Sequence, residues 1–197
     1  REDKWLLQPN RIEVWVEKDA LIGVIEGICQ EYEVDYFACR GYTSQSEMRS
    51  AAERIRRYIE NGQEVTIIHL GDHDPSGIDM SRDIYDRLDL FLEGDHCDVN
   101  RIALNYDQVT QYNPPPNPAK SSDSRFYDYQ REYGDESWEL DALEPRVIAA
   151  LIEEEILGLR DEDKWIRAVD EEEQNKKSLR LVDQKWSQVV DWLGANQ

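Results

Sequence analysis

"EVTIIHLGDHDPSG", residues 64–77, decides the fold. Its first seven residues read as an almost continuous apolar run, the pattern of a strand covered on both faces, and such strands belong to parallel sheets. Directly behind the run stand Asp72, His73, Asp74, Pro75 and Gly77. Carboxylates two residues apart repel one another, and unpaired buried charge is expensive. Something must therefore compensate them. Pro75 ends the strand, while Ser76 and Gly77 let a helix begin close by, with amide donors facing the same cleft.

Working outward, the same alternation recurs on both sides. "RIEVWVE" (11–17) alternates Ile12, Val14 and Val16 as a strand does, and "KDALIGVIEGICQEYE" (18–33) puts Leu21, Val24, Ile25 and Ile28 on one helical face. "VDYFACRG" (34–41) is strand-like. "TSQSEMRSAAERIRRYIENG" (43–62) opens on cap-type residues and closes on Asn61-Gly62. "SGIDMSRDIYDRLDLFL" (76–92) is helical, and "VNRIALNY" (99–106) is a fourth strand. The order β-α-β-α-β-α-β predicts an α/β fold, a parallel four-stranded sheet flanked by helices, with function at the carboxyl ends of its strands. Glu17 ends the first strand and Asp72 and Asp74 end the third, on one edge.

The alternating core is expected over 10–110. Four prolines within 114–118 forbid helix and central strand, so 111–135 reads as a stiff, extended crossing loop. Residues 136–197 read as a C-terminal helical extension, with a helix from about Pro145. In its tail Val182, Trp186, Val189 and Leu193 fall at helical spacing. Trp165, Trp186 and Trp192 are a large apolar load, so the tail is expected to pack back on the sheet or against a second copy.

Composition sets the limits on function. The chain has 197 residues, 40% hydrophobic and 34% charged, as a globular chain rather than a disordered one does. No apolar stretch reaches the roughly 20 residues a membrane span needs. Cys29, Cys39 and Cys97 are widely spaced and form no CxxC pair, which argues against a disulfide framework or zinc site and fits a cytoplasmic location. A formal charge of −20 repels nucleic acid in bulk, so any DNA chemistry needs a local basic face, a bound cation or a basic partner.

Residues two apart in an extended segment project to one side, so Asp72 and Asp74 point into one cleft and His73 away from it. With Glu17 they make three carboxylates in one pocket, and a hard divalent cation is the natural counter-charge. Oxygen-only ligands favour Mg²⁺ or Mn²⁺ and a phosphate-containing substrate. The plain alternative is a polar loop whose aspartates cap the next helix. A phosphotransfer aspartate is disfavoured, because that chemistry needs its acceptor after the first strand, where "WVEKDAL" carries Glu17.

"VEK" (16–18) after strand one and "DHDPSG" (72–77) after strand three resemble the Toprim domain of topoisomerases, primases and related nucleases. The DxDPxG form and the Glu-Lys pair look most like the A subunit of topoisomerase VI, related to the meiotic double-strand-break transesterase. The likeness covers about 10–110. It implies that Glu17, Asp72 and Asp74 hold Mg²⁺, that Glu17 also relays a proton, and that Gly77 packs tightly against the cleft. Lys18 is a phosphate contact on this reading or, equally, an exposed lysine at a helix start. Lys120, Asp123 and Arg125 are secondary candidates for bringing charge to the cleft. Glu139 and Asp141 are candidates for further ligands or outer contacts, and a solvated loop followed by a helix cap is the alternative.

The resemblance departs in one respect. Enzymes of that branch carry their nucleophilic tyrosine on a separate domain ahead of Toprim, and the ten tyrosines here show no such motif. The chain, which opens on Arg1 rather than Met, is thus expected to be a fragment that binds metal without forming a covalent DNA adduct. Candidate partners are DNA, reached through a fuller protein or another chain, a second copy, and an ATPase subunit. The alternatives are a Toprim nuclease of the overcoming-lysogenization-defect type, in which metal-activated water replaces tyrosine, and a non-catalytic assembly module.

Overall fold

The computed structural model describes residues 2–195, the side chains at 189, 194 and 195 excepted. Four strands form one parallel sheet: β1 (Asn10–Val16), β2 (Asp35–Ala38), β3 (Glu64–Leu70) and β4 (Asp98–Ala103), in the order β2-β1-β3-β4. The crossovers are α1 (Ile22–Glu31), α2 (Gln45–Glu60) and α3 (Pro75–Leu92). This is the α/β arrangement that the alternation predicts. The chain steps from β1 to β2 on one side and then returns to β3 on the other. The topological switch point therefore lies between β1 and β3, where such sheets open a crevice at their carboxyl ends.

Local chemistry sets the element ends. Ser44 caps α2 by accepting from the Glu47 amide, and the Glu47 carboxylate accepts from the Ser44 amide in return. Asp74 caps α3, and Pro75 takes the first helical position, where its missing N–H costs nothing. Pro75 thus belongs to the helix rather than to the strand end.

On one face of the sheet, Met48, Ala51, Ala52 and Ile55 of α2 and Met80, Ile84 and Leu88 of α3 pack with Trp15 and Ile67. The other face is covered by α1 and by α6 (Pro145–Leu159), whose Ile148, Ile152 and Ile156 are buried. Each fully buried side chain of this kind is worth roughly 1.5–3 kcal/mol. Cys29, Cys39 and Cys97 are free and buried, ordinary core thiols. One charge is built into this core. Glu13 is buried on β1, takes a bidentate pair from Arg54 at 2.7 and 2.8 Å, and accepts from the Trp15 indole at 2.9 Å.

Between β4 and α6 the chain holds more structure than its prolines imply. Helices α4 (Tyr106–Tyr112) and α5 (Phe126–Tyr133) flank the crossing, and β5 (Asn117–Pro118) pairs antiparallel with β6 (Glu136–Ser137). Pro118 is tolerated because a two-residue ribbon needs few donors.

The chain divides into two compact units, Pro9–Arg160 and a second made of the N-terminal residues up to Gln8 with the segment from Asp161 onward. In the second unit α7 (Glu162–Ala195) is one long helix. Trp5 packs on Trp165 with ring centroids 5.5 Å apart, Lys4 pairs with Glu172 at 3.0 Å, and Gln8 and Asp161 exchange hydrogen bonds. Trp165 thus finds cover in the N-terminal segment, and the sheet face assigned to the tail is covered by α6. Trp186 and Trp192 are more than half exposed in the single chain. Val189 lies outside the described side chains.

Candidate functional site

The parallel register sets Val16 beside Leu70, so Glu17 and Gly71 leave the sheet side by side at the switch point. The Glu17 amide still donates to the Leu70 carbonyl at 2.9 Å, and Gly71 continues toward β4 through paired bonds with Ala103 and Leu104. The carboxylates therefore sit on backbone that is held, not on free loops.

Each carboxylate is answered by a different group. Glu17 Oε2 accepts from the Asp72 amide at 2.8 Å. Asp72 is buried; its Oδ1 accepts from the Leu140 amide at 2.9 Å, and its Oδ2 meets the Lys18 ammonium at 2.8 Å. Asp74 Oδ1 accepts from the Gly77 amide at 2.6 Å and from the Ser76 hydroxyl at 2.9 Å. Asp74 therefore does cap α3. Glu17 Oε1 and Asp74 Oδ2 accept no hydrogen bond among the described residues. Burial, then the charge of Asp72, raises the Glu17 carboxyl above the ordinary carboxylate range.

Lys18 also stands 3.5 Å from Glu139 and 3.9 Å from Asp141. Both secondary candidates from the "WELDAL" stretch are thus at the site. Arg125 is not: it pairs with Asp79 at 2.8 Å and Asp123 at 3.2 Å and lies over the Tyr42 ring. With Asp79, Pro75 and Tyr133, Arg125 lines a groove of about 310 Å³ beside the start of α3. Lys120 is exposed. Arg125 thus pairs with Asp123 and Asp79 rather than with Glu17, Asp72 or Asp74.

Gly77 is required by geometry. A β-carbon there would lie 2.3 Å from the Asp72 carbonyl oxygen, 3.0 Å from its carbon and 3.1 Å from Glu17 Oε2. Gly71 is tight in a softer way, since an added β-carbon meets only side-chain atoms of Glu17, Arg101 and His69, the nearest at 3.0 Å.

Two structural features went unread in the sequence. Arg101, near the end of β4, reaches beneath the loop. Its guanidinium donates to the carbonyls of Gly71, Asp72, Gly77 and Leu104 and to the Ser81 hydroxyl, at 2.7–3.2 Å. Burial pushes its pKa down to about 10, against the opposing pull of Glu17, Asp72 and Asp74, and the group stays charged at neutral pH. A lone arginine in "VNRIALNY" was the available signal. The second is the setting of His73, which is buried among Tyr106, Tyr129, Tyr133 and Trp138. Its Nδ1 bonds the Tyr129 hydroxyl at 2.9 Å, and its backbone exchanges hydrogen bonds with Trp138. Burial, then the Arg101 charge, pushes its pKa down to about 4, so it is neutral at pH 7. His73 is a wedge, and its pairing with Trp138 brings Glu139, Leu140 and Asp141 onto Asp72.

Hard oxygen donors of this kind suit Mg²⁺ or Mn²⁺. Burial, then the Asp72 charge, holds the Glu17 carboxyl up, and a cation at this edge would favour its ionised form. In the arrangement described, however, no group of three or more metal-ligating side chains stands ready to hold an ion among the described residues. The reason is visible in the bonds: Lys18 and Leu140 fill both oxygens of Asp72, and α3 takes one oxygen of Asp74. The donors fit a divalent cation in kind, and the ammonium stands in its way.

Comparison with protein-family models, with curated proteins and with solved structures gives no match. Among the described residues no helix is long and apolar enough to cross a membrane.

Proposed function

We propose that the chain is a Mg²⁺-binding module that handles phosphodiesters, of the Toprim type found in topoisomerase VI A-like strand-cleaving proteins. One observation carries the reading: Glu17 and Asp72 meet at the switch point of a parallel sheet, joined by the 2.8 Å bond from the Asp72 amide to Glu17 Oε2. The motifs "VEK" and "DHDPSG" supply the family likeness, and DNA is the substrate they imply.

Glu17, Asp72 and Asp74 would hold the cation, which when bound supplies Lewis-acid stabilisation of a phosphodiester oxygen. Glu17, whose carboxyl burial and the neighbouring Asp72 charge push upward, is the group placed to take up and return a proton. Lys18, three-tenths exposed, is the cation able to meet a phosphate from solvent. With a formal charge of −20, the approach of nucleic acid calls for the bound cation, a local basic face or a basic partner. None of the ten tyrosines stands in a recognisable nucleophile motif, so residues 1–197 by themselves should bind metal and form no covalent adduct.

The experiment is a thermal melt with and without millimolar Mn²⁺, run beside a DNA assay. The wild type should gain stability through preferential binding to the native state, and the Asp72→Asn, Asp74→Asn double variant should not. An equal gain in both places the metal elsewhere. A tyrosine-linked adduct on supercoiled DNA overturns the expectation of no adduct, and nicking without an adduct moves the reading to the metal-dependent nuclease.

A further inference from the structure

The Lys18 ammonium sits among three carboxylates of unequal character. Asp72 Oδ2, at 2.8 Å, belongs to a side chain 9% exposed. Glu139 Oε2, at 3.5 Å, and Asp141 Oδ1, at 3.9 Å, belong to side chains 51% and 44% exposed. The grouping is built rather than incidental. Glu139 and Asp141 flank Leu140, whose amide holds the other oxygen of Asp72 at 2.9 Å, and the His73–Trp138 pairing fixes the approach of that segment. One contact of the 138–141 segment with the loop thus delivers both exposed carboxylates to the ammonium.

A divalent cation seeking Asp72 Oδ2 competes with a resident charge on a flexible four-carbon stem. The displaced ammonium does not have to go unpaired into water, because Glu139 and Asp141 are already within 4 Å of it. We infer that Lys18 is the internal counter-cation of this edge: it sets the metal affinity by competing for Asp72, and Glu139 with Asp141 receive it when a cation enters. The inference rests on the reading of Glu17, Asp72 and Asp74 as metal-binding carboxylates. It gives Lys18 a role distinct from contact with substrate phosphate, because it acts before any substrate is present.

The test is calorimetric titration of Mn²⁺ into the intact chain without nucleic acid. Lys18→Met should bind Mn²⁺ up to about fivefold more tightly than wild type, the change expected from loss of a competing, partly exposed ion pair. Lys18→Arg keeps the charge and should stay within about threefold of wild type. Glu139→Gln with Asp141→Asn alters exposed groups that the fold does not need. That variant should bind severalfold more weakly, because the displaced ammonium loses its alternative partners. Wild type binding as tightly as Lys18→Met, or more tightly, overturns the competition. Unchanged affinity in the Glu139→Gln, Asp141→Asn variant overturns the receiving role. If neither wild type nor Lys18→Met takes up Mn²⁺, the metal reading itself falls, a result separate from the other two.

Discussion

The carboxylate edge of the sheet unit and the long helix α7 treat their awkward groups in opposite ways. At the edge, charged groups are taken inside and answered by named partners: Asp72 by Lys18 and Leu140, and the loop carbonyls by Arg101. Along α7, apolar groups are left outside. Leu179 is 69% exposed and Trp186 57% exposed. The first part of the helix is dressed, where Trp5 and Lys4 meet Trp165 and Glu172. The contrast shows where stability is concentrated. Burying a charge is tolerable only with complete partners, so a substitution at the edge leaves something unpaired. Removing an exposed apolar side chain leaves nothing behind.

Arg101 tests this difference most severely. Arg101→Met strips the donor from four carbonyls around the loop, and the expected loss is about 3–5 kcal/mol in a denaturant melt. A loss below about 1 kcal/mol would mean that water satisfies the loop and that the edge is no more demanding than a surface. Gly77→Ala comes next. The 2.3 Å approach to a backbone oxygen cannot be relieved by a side-chain shift, so about 3 kcal/mol should be lost, the upper part of the overpacking range. Gly71→Ala should cost clearly less, because only side-chain atoms must move; equal costs would contradict the geometry.

Acid gives an effect of similar size to Gly77→Ala through His73. Its folded pKa of about 4 lies below the unfolded value of 6.5, so below pH 6.5 the unfolded chain binds the additional proton. Stability contributed by the neutral ring is complete above that value and is lost as pH falls toward 4. The loss is about 3 kcal/mol from this ring between pH 7 and pH 4. His69, buried and pushed down to about 3, acts in the same direction. Paired melts at the two pH values, repeated with His73→Gln, read the effect; an acid loss undiminished in the variant would assign it elsewhere. The smallest effect belongs to α7. Ending the chain after Lys177 removes Leu179, Val182 and Trp186, and the unfolding free energy of the sheet unit should move by less than about 0.5 kcal/mol. A larger change would show that those exposed side chains do bear on the rest of the molecule.

The parts of this molecule that local pattern controls were readable from sequence. The run 64–70 became β3 with the same bounds, and cap and proline placed the start of α3 within one residue. Glu17, Asp72 and Asp74 were readable as neighbours because strand ends in a parallel sheet share an edge. What escaped depends on pairs distant in the chain. Nothing local links Lys18 to Glu139, Arg101 to Gly77, or Lys4 to Glu172. Helix α5 was hidden by the preceding prolines. Trp138 falls in the stretch ahead of the C-terminal helix and nothing local marks it, although it carries the pairing with His73 that organises the site.

The most direct measurement is a crystal of the chain soaked in Mn²⁺, with data collected at the manganese absorption edge. The account predicts anomalous density between Glu17, Asp72 and Asp74, and a Lys18 ammonium that has left Asp72 for Glu139 and Asp141. A saturating soak that leaves Lys18 on Asp72 and puts no anomalous density within reach of Glu17 and Asp74 would contradict it.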